Sequence, residues 1–181
     1  MTYFRLTMVP LFVAAFSLRW YTTALVLFFL AGFTDLVDGA IARWLNQRSD
    51  LGAVLDPVAD KLLMWAAFYC LATVRILPWW LFWLMVVKDA VVVGGIAYLK
   101  WRAIPFAYEP ILWSKWATLA QIVTGTFGLI DFTFPGHAFW RYPVADFVSG
   151  GIYITGCLIL ITALEYSRKG LEIIQQRQGT A

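Results

Sequence analysis

Four aspartates stand close together in an otherwise apolar part of the chain. Asp35 and Asp38 are three residues apart, and Asp56 and Asp60 are four residues apart. Residues at these spacings share one face of an α-helix, so two helices carrying the pairs can direct all four carboxylates toward one another. The carboxylates would repel each other in low-dielectric surroundings unless cations lie between them. Such oxygen ligands favour magnesium, manganese or calcium over zinc, and two ions about 4 Å apart are typical of phosphoryl transfer.

Three small residues and one arginine accompany these aspartates: Gly39, Ala42, Gly52 and Arg43. The small residues leave space beside the carboxylates. A purely structural role is one alternative, because Asp56 before Pro57 fits the start of a helix and an acid in a membrane often pairs with a base such as Arg43 or Lys61. That role explains one or two aspartates, but not four on facing surfaces.

The composition indicates an integral membrane protein. Hydrophobic residues make up 61% of the chain and charged residues 14%, and the mean hydropathy is +0.72, unlike a soluble globular domain. We predict a single all-α membrane domain over residues 1–181, in which 165–181 form a polar cytoplasmic tail. The net charge of +3 is too small and dispersed to indicate a nucleic-acid partner.

Six apolar segments are predicted to be transmembrane helices, for which about 20 residues are needed. They are residues 4–16, 21–42, 53–74, 78–99, 113–130 and 145–164. The first is short. The second carries Asp35 and Asp38 in its last third, and the third carries Asp56 and Asp60 in its first third. All four carboxylates are therefore expected near the same face of the membrane.

The distribution of cations orients this predicted bundle. An even number of helices places both termini on one side. Without Lys61 and Lys88, which fall inside predicted helices, that side carries nine lysines and arginines, against three on the other. By the positive-inside rule the termini and the aspartates face the cytoplasm, and we predict a multi-pass protein of the inner membrane. The nine are Arg5, Arg43, Arg48, Lys100, Arg102, Lys115, Arg168, Lys169 and Arg177, and the three are Arg19, Arg75 and Arg141.

The cysteines, the histidine and the paired glycines are predicted to have structural rather than catalytic roles. Cys70 and Cys157 lie in apolar runs far apart and are predicted to be buried packing residues, and His137 is predicted to be an exposed loop residue. Several glycines are predicted to allow helices to approach closely, as small residues do in membranes. They are Gly94, Gly95, Gly125, Gly128, Gly150 and Gly151.

The residues of the aspartate segment resemble a known signature. Asp35, Asp38, Gly39, Ala42, Arg43, Gly52, Asp56 and Asp60 match the pattern D-x-x-D-G-x-x-A-R-x(8)-G-x-x-x-D-x-x-x-D of the CDP-alcohol phosphotransferase family at eight fixed positions. A small protein of six helices with this motif on helices two and three is similar to that family throughout. The resemblance implies transfer of a substituted phosphate from a CDP-linked donor to an acceptor hydroxyl, with release of CMP and use of two divalent ions, Mg²⁺ or Mn²⁺.

The resemblance also implies roles for individual residues. Asp35, Asp38 and Asp56 would bind metal, and Asp56 and Asp60 would bring in the second ion. Asp60 would also act as general base toward the acceptor hydroxyl. The cytidine part of the donor would lie against Gly39 and Ala42, with Gly52 opposite and Arg43 near the phosphates. No serine or cysteine has a plausible activating partner, so direct displacement is expected.

The acceptor is predicted from residues outside the signature. Lys115, Thr118 and Gln121, with Arg5 and Pro10, resemble the branch that makes phosphatidylglycerophosphate or cardiolipin, so the substrates would be CDP-diacylglycerol and a glycerol-type acceptor. The pair Lys88-Asp89 replaces an Arg-Glu pair expected in phosphatidylglycerophosphate synthases and is closer to cardiolipin synthases of the eukaryotic type. The predicted acceptor-binding cations are Lys88, Arg102 and Lys115.

Alternatives to this enzyme remain open at this point. The acceptor can be another polar alcohol, or the chain can be a non-catalytic membrane carrier of lipid or ions. A carrier predicts acids near the middle of the membrane, and none is expected there from the sequence. A homodimer is implied by the family resemblance alone.

Overall fold

The computed structural model describes the backbone of residues 2–45, 50–101, 112–136, 138–139 and 142–178, and side chains within 7–32, 34, 61–95, 112–136, 138 and 142–169. Six α-helices occur in the described chain, and the all-α prediction is confirmed there. A two-stranded antiparallel ribbon between the last two helices pairs Ala138 with Pro143 and Phe139 with Tyr142. The helices are α1 Thr2–Ser17, α2 Tyr21–Leu45, α3 Asp50–Thr73, α4 Trp79–Trp101, α5 Leu112–Thr133 and α6 Val144–Gln178, and the strands are β1 Ala138–Phe139 and β2 Tyr142–Pro143.

The helices extend beyond the predicted apolar segments. Helix α2 continues to Leu45 rather than ending at Ala42, and α3 begins at Asp50 rather than at Ala53. Hydropathy locates the part of a helix that fits the bilayer, whereas the helix itself continues into polar surroundings. In sequence, four residues lie between the described ends of the two helices that carry the aspartates.

One stretch of α6 in the described residues, Val144–Lys169, has both the length and the apolar character needed to cross a membrane, with a mean hydropathy of 2.0. Helix α6 continues from there to Gln178 and has 35 residues, or about 52 Å of length. Shorter apolar helical stretches are Thr7–Ser17, Tyr21–Gly32 and Lys61–Thr73.

Two tight turns end α1 and α3 in the same way. Arg19 and Arg75 have φ values of 64° and 63°, in the left-handed region. The amide of Arg75 donates to the carbonyl of Ala72 at 3.1 Å, and the amide of Ile76 donates to that of Leu71 at 3.0 Å. This is the Schellman arrangement, in which a left-handed residue follows the last helical turn and satisfies its free carbonyls. The chain thus reverses over residues 74–78 and returns as α4.

The core lies where α1 packs against α2 and α3, and where α5 packs against α6. The rings of Phe12 and Phe28 join α1 to α2 at a centroid distance of 6.2 Å, and Phe16 stacks on Phe132 of α5 at 5.6 Å. Aromatic pairs at these distances add to the stability that burial of the rings provides. Helix α4 packs against both α3 and α6.

Three of the six predicted glycine contacts are confirmed. A Cβ on Gly125 would lie 3.2 Å from the Phe68 ring, one on Gly128 would lie 3.0 Å from Leu71, and one on Gly151 would lie 2.6 Å from Thr124 Oγ1. At Gly94, Gly95 and Gly150 a Cβ meets nothing within 4 Å among the described residues, so no close helix approach is found there. These three glycines lie on outward faces of α4 and α6. The sequence did not single out Gly156, beside which Trp80 would lie 3.0 Å from an added Cβ.

Large apolar side chains cover much of the outward surface. Trp83 of α4 is 57% exposed, and Leu164 of α6 is 60% exposed. Apolar area facing water is unfavourable by about 25 cal/mol per Å², so this surface suits a lipid environment. Cys157 lies on this surface and is exposed, so the prediction that Cys157 is buried is wrong. Cys70 is buried as predicted, and both thiols are free. In a membrane, an apolar residue can contact lipid instead of protein.

Candidate functional site

The two aspartate pairs lie at similar depths, meaning similar distances from the end of α2 and from the start of α3. Asp38 lies seven residues before the end of α2 at Leu45, and Asp56 lies six residues after the start of α3 at Asp50. At 1.5 Å per residue these positions are about 10 Å and 9 Å from the connected helix ends. Asp35 and Asp60 are each ten residues, or about 15 Å, from those ends. The helical geometry is therefore compatible with a shared site for all four carboxylates.

The motif residues lie on described helices, but their side chains are outside the described residues. Their contacts accordingly stay predictions, as do the metal positions. Arg102 and His137 lie outside the described residues altogether. Among the described side chains no group of three or more His, Cys, Asp or Glu can hold a metal ion. The motif residues are Asp35, Asp38, Gly39, Ala42, Arg43, Gly52, Asp56 and Asp60.

A charged cluster begins one residue after the motif and joins α3 to α4. Asp89 accepts from Lys61 Nζ at 2.9 Å on its Oδ1 atom, and Lys88 Nζ lies 3.0 Å from the same oxygen. The indole Nε1 of Trp65 donates to Asp89 Oδ2 at 3.0 Å. Lys61 and Trp65 are one helical turn apart on α3 and so share a face, which is turned toward α4. We call these four residues the Asp89 cluster.

The Asp89 cluster is largely buried. The side chains of Lys88 and Asp89 are 6% and 7% exposed, and that of Lys61 is 32% exposed. One carboxylate faces two ammonium groups, so the cluster has one more positive charge than negative. Burying a charge without a partner is strongly unfavourable, and a pair in such a setting is stable only when its geometry is good and its remaining polar atoms are satisfied. Lys61, one of the two cations, directly follows Asp60 in sequence and so lies beside the negatively charged motif.

The depth of the Asp89 cluster matches that of the motif. Lys61 lies eleven residues into α3, and Asp89 lies twelve residues before the end of α4 at Trp101. These positions are about 17 Å and 18 Å from the respective helix ends. The cluster is thus less than one helical turn deeper than Asp60. In the structural alternative Lys61 is a base that pairs with an aspartate of the motif, whereas its described ion pair is with Asp89.

Helix α5 contributes two further candidates with different surroundings. Lys115, predicted to bind the acceptor, lies in the first turn of α5 and is exposed. Gln121 is buried, and its Nε2 atom has no hydrogen-bond partner within the described part of the chain. It lies nine residues, or about 14 Å, from the start of α5, a depth close to that of Asp60. A buried amide without a partner is destabilising by about 1–3 kcal/mol, so this group is a candidate for contact with a bound substrate.

Sequence reasoning missed Lys61, Trp65 and Asp89 as a unit. Lys61 and Asp89 are 28 residues apart, and only the packing of α4 on α3 brings them together. The available signal was the occurrence of Lys88 and Asp89 inside an apolar helix, because charged residues there are rare and usually paired. Asp89 is also an acid near the middle of α4, where none is expected from the sequence.

Comparison with known proteins identifies similar chains. Residues 1–164 match the profile of the family described as CDP-alcohol phosphatidyltransferase. The cardiolipin synthase (CMP-forming)/mitochondrial hydrolase fusion protein of Schizosaccharomyces pombe is 34% identical over 92% of this chain and 29% of that protein. The probable cardiolipin synthase (CMP-forming) of Drosophila melanogaster is 33% identical over 81% of this chain and 48% of that protein. The chain therefore spans less than half the length of these two relatives.

A bacterial relative is closer to this chain in length. The CDP-diacylglycerol–glycerol-3-phosphate 3-phosphatidyltransferase of Haemophilus influenzae is 30% identical over 92% of this chain and 88% of that protein. The family resemblance inferred from the aspartate motif is thus confirmed by a match that covers most of the chain. Membrane association follows from the same relationship and agrees with the outward apolar surface.

Proposed function

Because the chain belongs to the CDP-alcohol phosphatidyltransferase family, we propose that it transfers the phosphatidyl group of CDP-diacylglycerol to a glycerol-type hydroxyl and releases CMP. The observation that carries this proposal is the complete motif of eight residues on two helices, with the aspartate pairs at matching depths. The proposed acceptor is glycerol 3-phosphate or phosphatidylglycerol. Relatives whose names specify cardiolipin synthesis and glycerol-3-phosphate phosphatidyl transfer support both.

The donor set fits two magnesium or manganese ions. Four carboxylates, from Asp35, Asp38, Asp56 and Asp60, offer hard oxygen ligands and a formal charge of −4, and their depth in α2 and α3 allows them to meet. Bound ions would neutralise the negative charge that develops on the diphosphate as CMP leaves. The carboxylates would set where that charge is best stabilised.

The remaining chemistry is assigned to residues of the chain. Asp60 would accept the proton of the acceptor hydroxyl while the hydroxyl oxygen bonds to phosphorus and the bond from phosphorus to the CMP oxygen breaks. Arg43 would stabilise the phosphate charge. The helix surface at Gly39 and Ala42 would let the cytidine part approach closely, and Gly52 would leave room opposite it. The reaction needs no covalent intermediate with the enzyme.

The proposed setting is a membrane domain over residues 1–181 with six transmembrane helices, in which 165–181 form a cytoplasmic tail. The described helices α1 to α6 support this arrangement by their number, and the excess of cations on the side of the termini supports a cytoplasmic site in an inner membrane. The acyl chains of the donor would then stay in the bilayer while its head enters the site. We also propose a homodimer, consistent with the outward-facing glycines of α4 and α6.

Release of CMP by the purified protein tests this function. In detergent with CDP-diacylglycerol, release should require both a divalent ion and an acceptor, and a chelator should abolish it until magnesium or manganese is restored. Asp56→Asn and Asp60→Asn should each reduce the rate by at least about 100-fold, because each removes a proposed metal ligand and Asp60 is also the base.

Asp146→Asn is the matched control for these variants, since Asp146 lies at the start of α6 outside the motif and is exposed. It should retain the rate of the unsubstituted protein. Full activity of Asp56→Asn and Asp60→Asn would show that the site is elsewhere. Offering glycerol 3-phosphate, phosphatidylglycerol, inositol phosphate and serine in parallel identifies the acceptor.

A metal-independent carrier is the second candidate, because Asp89 provides an acid near the middle of α4, as a carrier predicts. Two lysines and an indole already contact this carboxylate, which favours a fixed structural or positioning role over a group that releases its ion in each cycle. Metal-independent transport of lipid or ions into liposomes, without any release of CMP, would favour the carrier.

A further inference from the structure

The Asp89 cluster has properties that a site for an anion requires. Lys88 is almost fully buried, yet its ammonium shares with Lys61 a single oxygen of one carboxylate. An ammonium group has three donor hydrogens, so each lysine has more donors than this oxygen can accept. The Lys61 side chain is also 32% exposed, so a ligand can reach this side of the cluster. Among the described side chains, the surplus positive charge and the donors that have no described acceptor both favour a negatively charged group beside the cluster.

The position of the cluster separates it from the proposed metal site. Lys61 directly follows Asp60 on α3, and adjacent residues on a helix point about 100° apart. The lysine therefore flanks the face that carries Asp56 and Asp60 instead of lying within it. An anion held by Lys61 would lie beside the reacting hydroxyl and outside the ion site.

On the premise of the proposed function, we propose that Lys61 and Lys88 bind the phosphate of the acceptor and that Asp89 is the positioning residue that holds both ammonium groups in place. Asp89 fixes Lys61 by a hydrogen bond of 2.9 Å and is itself fixed by Trp65 at 3.0 Å. The acceptor class is then an alcohol that carries a phosphate, either as a monoester or within a phosphatidyl head group. The attacking hydroxyl lies toward Asp60 and the phosphate lies toward α4.

This assignment changes the expected acceptor site. The sequence predicted Lys88, Arg102 and Lys115, whereas the structure adds Lys61 on α3 and places it next to Lys88 through their common contact with Asp89. Lys115 is exposed in the first turn of α5, about 9 Å nearer to the end of its helix than Gln121.

The test compares acceptors with and without a phosphate. CMP release is measured with CDP-diacylglycerol and magnesium, while glycerol 3-phosphate, phosphatidylglycerol and glycerol are each varied as acceptor. Lys88→Gln leaves the one-to-one pair of Lys61 and Asp89 intact, so the fold should be retained. It should raise KM for the phosphate-bearing acceptor about 10-fold or more, the loss expected for one charge-assisted hydrogen bond, with KM for CDP-diacylglycerol unchanged.

Asp89 is tested by a conservative rescue. Asp89→Asn should raise KM for the phosphate-bearing acceptor, and Asp89→Glu should restore at least part of the loss, because a carboxylate again holds both ammonium groups. The loss of activity toward glycerol should be smaller than the loss toward the phosphate-bearing acceptor in these variants. Lys169→Gln removes an exposed cation from α6 and should alter neither KM.

The outcomes separate this inference from the proposed function. If the unsubstituted protein releases CMP but Lys88→Gln lowers kcat/KM equally for glycerol and glycerol 3-phosphate, the cluster has a structural role and the inference is wrong. If the unsubstituted protein releases no CMP with any acceptor, the proposed function fails. A preference for a phosphate-bearing acceptor that Lys88→Gln abolishes supports the inference.

Discussion

Replacing Gly151 with alanine tests the packing of α5 against α6. The added Cβ would lie 2.6 Å from Thr124 Oγ1 and 3.3 Å from both Cβ and Cγ2 of the same threonine. Rotation of the Thr124 side chain alone cannot relieve this contact, because its Cβ atom, which also lies 3.3 Å away, does not move in that rotation. Its hydroxyl is also hydrogen-bonded to Thr155 Oγ1 at 2.9 Å, in a buried contact between the two helices. The helices must therefore move apart, and this hydrogen bond is weakened or lost.

The expected loss in the free energy of unfolding follows from a comparison of Gly151→Ala with Gly150→Ala. At Gly150 an added Cβ meets nothing within 4 Å, so that variant keeps only the gain of about 0.5–1 kcal/mol from replacing a helical glycine. Gly151→Ala has the same gain, but an overpacked contact is destabilising by about 1–3 kcal/mol and the lost hydrogen bond by about 1 kcal/mol. The two variants should differ by about 2–4 kcal/mol in the free energy of unfolding.

Thermal unfolding in one detergent, at one heating rate, measures this difference. For a chain of this size 1 kcal/mol corresponds to about 2–4 °C, so Gly151→Ala should unfold roughly 5–15 °C below Gly150→Ala. Comparing the two variants side by side is needed because unfolding of a membrane protein is often irreversible and its midpoint depends on the heating rate. Equal midpoints, or a higher one for Gly151→Ala, would show that α5 and α6 do not meet at this glycine.

Two further pairs of variants test other contacts. Arg75→Gly should unfold about 2–4 °C above Arg75→Ala, because glycine adopts the left-handed conformation without the strain of about 1 kcal/mol that a Cβ causes. Equal midpoints would contradict a left-handed conformation at this residue. Thr155→Val should lower the unfolding midpoint by several degrees, because it leaves the Thr124 hydroxyl without its partner. Thr162→Val removes a hydrogen bond to Leu158 within α6 and should change the midpoint by less than about 2 °C. A larger effect of Thr162→Val would refute the proposed importance of the bond between helices.

The family and the helices that carry the aspartates could be predicted from the sequence, because both depend on local spacing. Asp35 and Asp38 share a face on one helix, and Asp56 and Asp60 share a face on another, whatever the rest of the chain does. The helix count had the same basis, since apolar runs separated by polar residues predict helices in a membrane. The ends of α2 and α3 were missed because a helix can continue past the apolar segment that defines its span.

The Asp89 cluster could not be predicted because it depends on contacts between helices. Lys61 had several acidic partners within reach in sequence, and only the packing of α4 on α3 selects Asp89. The glycines illustrate the same limit. Gly150 and Gly151 are neighbours in one helix, yet only Gly151 faces Thr124, and sequence alone does not give the rotation of α6 about its axis.

The ion pairs between α3 and α4 have a consequence for how the protein enters a membrane. A lysine or aspartate at the centre of an inserting helix is unfavourable by about 2.5–3.5 kcal/mol, and α4 carries Lys88 and Asp89 side by side near its middle. Pairing with Lys61 offsets part of this free energy only if α3 is already alongside. Because residues 74–78 join the two helices in a tight turn, we expect α3 and α4 to leave the translocon together as a hairpin, and α4 expressed alone to insert poorly.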